Sequence, residues 1–370
     1  MQKFSPDILQ NTNGRRWEKR ISPKRVLAIR LQAMGDLVIT LPYLQNLRNT
    51  LPPGTELDLL TREEVESIPK NLELFNHVYS IGGARNWKKQ LLLTYLLLPK
   101  LLLRRYDVVI DLQNNIISKT VRKVLMPKAW SEFDRFSPIA AGECTRLAIE
   151  VAGFKNSAST TGFKTKTPNS EIAAILKQNG WDGKSKLVLL NPAGAFKTRH
   201  WPIEYYVQFG NLWLQNFPQT QLVVIGTEFI AEKASHLKKQ FGNKLINLVG
   251  KTTPVQAFTL LQNIQLVISE DSGLMHMAWV SGIATLALFG STRSDRATPL
   301  GEHTLLLSSS DLPCGNCMLE ECKFGDNHCM TRYSPEFVFE KSCSLLSSLK
   351  INTEPKTVSP LHAEIIADKV

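Results

Sequence analysis

The sequence predicts an α/β protein made of two halves, each a parallel sheet wound with helices, and three observations lead there. Short apolar runs of strand length alternate with helical patterns from Arg25 onward. A polar stretch rich in Ser and Thr, SASTTGFKTKTPNS at 157–170, interrupts the alternation and reads as an interdomain linker. The segment LVISEDSGLMHMAWVSGIATLALFG, 266–290, reads as strand, turn, helix, strand, the unit from which parallel sheets are built. A chain of 370 residues also exceeds what one core usually serves.

The elements follow in order. Residues 1–24 form a basic extension carrying Arg15, Arg16, Lys19, Arg20 and Lys24. RVLAIRL (25–31) is the first strand, and QAMGDLVITLPYLQNLRNTL continues it as a loop and a helix. ELDLLT (56–61) and DVVIDLQ (107–113) are further strands. Between them lies LLLTYLLLPKLLL, preceded by Lys88 and Lys89 and followed by Arg104 and Arg105. It is read as a buried helix with snorkelling cationic ends, because Pro99 and Lys100 break the run and a core strand follows. The alternative is an interfacial segment, apolar yet too short to span a bilayer. After the linker, KLVLLNPAG, QLVVIGTE, LINLVG, LVISEDSG and ATLALFG form a second series ending near Ser310. The expected domains are 25–165 and 166–345, with 346–370 as a tail that packs back or frays.

Composition narrows the class. A hydrophobic fraction of 43% is globular, and no uninterrupted apolar run reaches the roughly 18 residues of a spanning helix. The N-terminus lacks the apolar core of a secretory signal, so a cytoplasmic location is expected. Four of the six cysteines fall within 314–329, unlike a small-domain disulfide framework. A net charge of +11 implies anionic partners, among them nucleic acid, phosphorylated ligands or an acidic membrane surface.

Three loops carry residue types suited to chemistry. In EDSG, Asp271, Ser272 and Gly273 occupy the turn between a strand and a helix, where ligands of parallel sheets sit and free N–H groups attract anions. His276 lies about one helical turn further on, facing the same end of the sheet. The plain alternatives are an N-cap and a core histidine. In AMGD, Gly35 permits close backbone approach, and Asp36 is either a cap or a base aimed into a cleft. In NPAGAFKTRHWP, Gly194, Lys197, Thr198 and Arg199 offer backbone donors and cations to phosphate. Neither a Walker A loop nor GxGxxG is present. Cys314, Cys317, Cys322 and Cys329, spaced Cx2Cx4Cx6C, are compact enough for tetrahedral zinc. Free or partly paired thiols stabilising a loop are the alternative.

Taken together and in this order, RVLAIRLQAMGDLVITLPYLQNLR, YDVVIDLQNNIIS, LNPAGAFKTRHWP, LVISEDSGLMHMA, ALFGSTRSD and PCGNCMLEECKFGDNHCM resemble glycosyltransferase family 9, the heptosyltransferases of lipopolysaccharide assembly. The resemblance runs from about Arg25 to Phe339. It implies a GT-B architecture of two Rossmann-like domains with a cleft between them, and an inverting transferase that needs no catalytic metal. The implied donor is a nucleotide-diphosphate sugar, the best-known type being ADP-L-glycero-D-manno-heptose, and the implied acceptor is a glycolipid or other glycan. Asp36 matches the family's general base and Gly35 shapes its loop. Where the family usually has Lys before a basic residue and Trp, this chain has Arg199, with Lys197 two residues earlier, so either cation could hold the diphosphate. Asp271, Ser272, Gly273 and His276 match the donor site. Glu228 is expected near ribose or base, and Glu232 is the alternative. The resemblance places the enzyme in the cytoplasm at the inner face of the membrane, with contacts to anionic lipid.

Two other classes compete. A non-catalytic nucleic-acid-binding protein would account for the charge, but it lacks a basic recognition helix and leaves two α/β series unexplained, so no nucleic-acid partner is expected. An enzyme of the same architecture that modifies nucleotide sugars without an acceptor, such as an epimerase, is the other alternative.

Overall fold

The computed structural model describes residues 12–18, 21–31, 33–84, 86–156 and 162–351. The expectations for Lys19, Arg20, linker residues 157–161 and tail residues 352–370 lie outside the described residues. Two six-stranded sheets account for the strands. The first contains β1 (Gly14–Arg15), β2 (Arg25–Ile29), β3 (Glu56–Arg62), β4 (Val78–Ile81), β5 (Val108–Asp111) and β6 (Ala129–Glu132). Their order is β1-β6-β5-β2-β3-β4, parallel except for the β1–β6 pair. The second contains β7 (Lys186–Asn191), β8 (Thr220–Val224), β9 (Leu245–Asn247), β10 (Ile264–Glu270), β11 (Ala284–Phe289) and β12 (Thr304–Ser308). Its order is β12-β11-β10-β7-β8-β9, parallel throughout.

In both sheets the winding reverses once, between β2 and β5 and between β7 and β10. Crevices open at such switch points, outside the carboxyl ends of the strands. AMGD follows β2, NPAG follows β7 and the DSG turn follows β10, so the sequence's three chemical loops sit at the two switch points.

The first sheet is covered by α1 (Met34–Thr50), α2 (Ser67–Asn71), α3 (Trp87–Arg104), α4 (Ile116–Leu125) and α5 (Ala141–Val151). The second is covered by α6 (Asn169–Gln178), α7 (Ile203–Asn216), α8 (Ala231–Phe241), α9 (Pro254–Leu260), α10 (Gly273–Val280), α11 (Ser294–Ala297), α12 (His328–Thr331) and α13 (Pro335–Ser348). Side-chain caps start several of them. Asn86 accepts from the Lys89 N–H, Asn115 and Ser118 form a capping box, and Ser272 accepts from the Met275 N–H. The described part of the linker is strapped down. Leu72 and Thr165 form a bridge, and the Glu73 and Lys166 N–H groups donate to Lys164 and Asn71 carbonyls at 3.1 and 2.8 Å.

The apolar segment around Pro99 departs from the buried helix expected of it. It is one unbroken helix, α3, that buries only Thr94, Leu98 and Leu101 and turns Leu92, Tyr95, Leu96, Leu102 and Leu103 to solvent. Pro99 does not end it, and among the described residues no helix is long and apolar enough to cross a membrane.

Candidate active site

On the first lobe, Arg30 directly follows β2 and α1 carries Asp36 in its first turn. The buried Arg30 guanidinium sets Asp36 in place. Its Nη2 lies 3.2 Å from Asp36 Oδ1, its Nη1 donates to the Leu112 carbonyl, and its carbon centre sits 4.8 Å above the Phe133 ring. Gly35 has a steric reason to lack a side chain. A Cβ there would come within 2.9 Å of His276 Cδ2, on the opposite lobe. Ala33, just before the helix, holds φ at +36°, a strained value for a residue with a Cβ.

On the second lobe, Asp271 is the hub. It accepts from Thr292 Oγ1 at 2.7 Å, pairs with Arg199 Nη1 at 3.2 Å, and lies 4.0 Å from His276 Nε2. Trp279 Nε1 donates to His276 Nδ1 at 3.2 Å, which leaves the proton of the neutral ring on Nε2, facing Asp271. Burial holds His276 below the ordinary imidazole range, against the opposing pull of Asp271 and Asp36. Ser272 caps α10 and accepts from Asn191 Nδ2 at 2.7 Å, tying β10's turn to the end of β7. Around Gly273, at the open N-terminus of α10, a Cβ would meet nothing within 4 Å.

A cavity of about 340 Å³ joins the two sides. Asp36, Arg30, Gln113 and Arg135 line it from the first lobe, and His276 and Arg296 line it from the second. Arg296 Nη2 also donates to the Phe136 carbonyl across the cleft at 3.4 Å.

The phosphate-loop residues divide. Gly194 and Arg199 belong to the hub: a Cβ on Gly194 would press on Arg199 Cβ at 2.7 Å, and Arg199 Nε is buried with no hydrogen-bond partner among the described residues. Lys197 and Thr198 turn the other way. Lys197 Nζ pairs with Glu321 at 2.8 Å in an exposed bridge. Thr198 Oγ1 donates to the Leu319 carbonyl at 2.5 Å and meets Ser291 Oγ at 2.8 Å. Glu228 lies apart as well, exposed beyond β8 and packed against Gly250, and Glu232 opens α8.

The four clustered cysteines are free thiols lining one cavity of about 250 Å³ that Thr198 and Ser291 share. Among the described residues no three His, Cys, Asp or Glu side chains form a group that could hold a metal ion. The segment also clamps the loop of residues 194–200. Asn327 Nδ2 donates to the Lys197 and His200 carbonyls at 3.3 and 3.2 Å, and Cys329 Sγ lies 3.8 Å from the Thr198 carbonyl.

A family description, glycosyltransferase family 9 (heptosyltransferase), matches residues 96–328, which is more than half of the chain. The chain belongs to glycosyltransferase family 9. It is 30% identical over 195 residues to lipooligosaccharide heptosyltransferase 2 of Campylobacter jejuni serotype O:2, a match covering 50% of this chain and 56% of that protein. The chain thus spans just over half the length of that curated relative. The crystal structure of a family 9 glycosyltransferase from Veillonella parvula superposes with a TM-score of 0.74 at 18% identity, covering 88% of this chain and 97% of the other. Escherichia coli heptosyltransferase WaaC with ADP-2-deoxy-2-fluoro heptose gives a TM-score of 0.63 at 18% identity, covering 86% and 99%. These likenesses show the fold, two parallel-sheet lobes of the GT-B type.

Sequence reasoning missed several groups in this family 9 cleft. Glu270 was quoted in EDSG without a role, yet its buried carboxylate accepts the Gly194 and Trp201 N–H groups at 2.7 and 2.8 Å and shapes the loop that carries Arg199. Arg30, inside RVLAIRL, carries no sign in the sequence that it positions Asp36. Thr292, in ALFGSTRSD, gave no signal beyond the family resemblance.

Proposed function

We propose that this chain is an inverting glycosyltransferase that moves a heptose from an ADP-heptose-type donor to the core of a lipopolysaccharide-like glycolipid. The cavity that places Asp36 on one lobe opposite His276, with Asp271 and Arg199 behind it, supports this reading. The relatives' names point to heptose transfer and to lipooligosaccharide. Asp36 takes the proton of an acceptor hydroxyl, whose oxygen forms a bond to the anomeric carbon. The bond from that carbon to the diphosphate oxygen breaks on the opposite face, and the nucleoside diphosphate leaves with the negative charge. Arg199 is the cation assigned to the diphosphate, since Lys197 is engaged by Glu321 and lies on the far side of the loop. Ser272 and Gly273 give it hydroxyl and backbone donors at the open helix terminus, and Gly194, its own N–H held by Glu270, leaves room for Arg199. Thr198 supports the loop through its bonds to Ser291 and Leu319. Glu228 is the ribose contact in this reading.

The first lobe, 25–165, holds the acceptor and the second, 166–345, the donor. Arg135 and Arg296 on the shared cavity suit an acceptor with anionic groups. In this reading the reaction takes place in the cytoplasm at the inner face of the membrane. No metal takes part in the transfer.

In the deciding experiment, Asp36→Asn loses about 10²- to 10⁴-fold in turnover of ADP-heptose onto a core acceptor. Its affinity for ADP-heptose and its melting temperature stay near those of the parent. Full turnover in a folded variant would remove Asp36 from the role.

The zinc reading of Cys314, Cys317, Cys322 and Cys329 rests on spacing and on their shared cavity, and it concerns structure only. Elemental analysis of protein purified without chelator checks it. Stoichiometric zinc would establish it, and its absence would end the proposal and leave free thiols in a segment held by its hydrogen bonds alone.

A further inference from the structure

Helix α3 is apolar on both sides, and only one side is covered. Thr94, Leu98 and Leu101 pack on the sheet in a cluster with Leu27, Ile29, Leu60, Tyr79 and Ile81. The opposite stripe follows helical spacing. Leu92 is 60% exposed, Tyr95 54%, Leu96 70% and Leu103 83%, and Trp87 at the helix start is 55% exposed. From Leu92 to Leu103 the stripe is about 17 Å long at 1.5 Å per residue. Isolated exposed leucines need no explanation, but a contiguous ridge of this length on a surface helix does.

Charge selects the occupant. The helix sequence WKKQLLLTYLLLPKLLLR contains no acidic residue. Lys88 and Lys89 stand exposed at its start, and Lys100 and Arg105 stand exposed at its end. Arg104 is not counted, because it is committed to Glu56 and Asp58. An apolar ridge bracketed by cations at both ends, with Tyr95 on it, matches the boundary between anionic headgroups and acyl chains. A protein partner would select against lysine at the contact. The topology adds a reason of position. α3 leaves the carboxyl end of β4, which lies parallel to β3 and β2, so the helix begins at the sheet end where Asp36 stands.

We propose that the exposed face of α3 docks this lobe on an anionic phospholipid surface, its leucines entering the interface and its lysines meeting the headgroups. The inference deepens the glycolipid-acceptor reading, but its test needs no turnover. Full-length protein is sedimented with vesicles of phosphatidylethanolamine and phosphatidylglycerol, and separately with phosphatidylcholine alone. Binding to the anionic vesicles, falling with added salt, is expected. The double variant Leu96→Glu, Leu103→Glu should lose at least about tenfold in partitioning, since each buried leucine contributes more than a tenfold factor. Lys88→Glu, Lys89→Glu should weaken binding to the anionic vesicles only. Circular dichroism and retained transfer to a deacylated, water-soluble acceptor establish that the variants fold. Equal partitioning of parent and leucine variant would overturn the proposal. So would a parent that sediments as a dimer in solution and becomes monomeric in the leucine variant, because the face would then bind a second copy. Loss of transfer in all proteins with vesicle binding intact would count against the catalytic reading alone.

Discussion

At the scale of single residues, Glu270 is the group on which the loop carrying Gly194 and Arg199 turns. Its two carboxylate oxygens accept two different backbone N–H groups, of Gly194 and Trp201, and Tyr206 and Lys233 approach at 3.5 and 3.9 Å. Burial nevertheless dominates and raises its pKa from 4.5 to about 7, over the lowering effects of Lys233 and the two N–H donors. The folded value lies above the unfolded one, so the stability linked to this group is full below about pH 4.5 and is lost as pH rises through about 7. The parent should therefore melt at a lower temperature at pH 8 than at pH 5. Glu270→Gln has no such titration and should show a flatter profile. An amide oxygen can accept only one of the two N–H bonds, so the variant should be less stable at pH 5 by about 1–3 kcal/mol, with the gap narrowing toward pH 8. Thermal melts across that range measure both effects, and parallel profiles would exclude the carboxyl as their origin.

At the scale of elements, legibility in the sequence followed a physical pattern. The loops AMGD, NPAG and EDSG could be read because glycine, proline and acid punctuate apolar strands, and strand ends are where parallel sheets place ligands. Their partners could not be read. Arg30, held by Leu112 and Phe133, pairs with Asp36, and Thr292 reaches Asp271 from 21 residues away, contacts that only the fold creates. β4 (VYSI) and β6 (AWSE) escaped because neither carries the uninterrupted apolar run that marks the strands that could be read. α3 was misjudged for a different reason. Leucines occupy its covered positions 98 and 101 as well as its exposed positions 92, 96 and 103, so hydrophobic periodicity carries no information about which side faces the core. The cysteine segment was set apart from chemistry, and its bonds to Lys197, Thr198 and His200 make it the outer buttress of the phosphate loop. This also explains why Lys197 and Thr198 face away from Asp271: the clamp holds one side of the loop and leaves Arg199 on the other.

At the scale of the whole molecule, each lobe keeps a buried apolar cluster of its own, and a third runs through both. One buried apolar cluster contains Leu37, Leu41 and Leu44 of α1 and Leu57 and Leu59 of β3, and it continues into Met275 and Ala278 of α10 and Val267 of β10. The Arg296 bond to Phe136 adds a polar tie across the same boundary. Two-lobed chains of this length often unfold in steps, one lobe before the other. Here the loss of either lobe would strip apolar cover from α1 or α10 in the other, at about 25 cal/mol for each Å² exposed. A single cooperative transition is therefore expected in scanning calorimetry, with calorimetric and van't Hoff enthalpies equal. A nucleoside diphosphate at about 100 times its dissociation constant should shift that whole transition by the equivalent of about 2.7 kcal/mol, although it touches one lobe. Two resolved transitions, only one of them moved by the ligand, would show that the lobes unfold independently and that the shared cluster does not couple them.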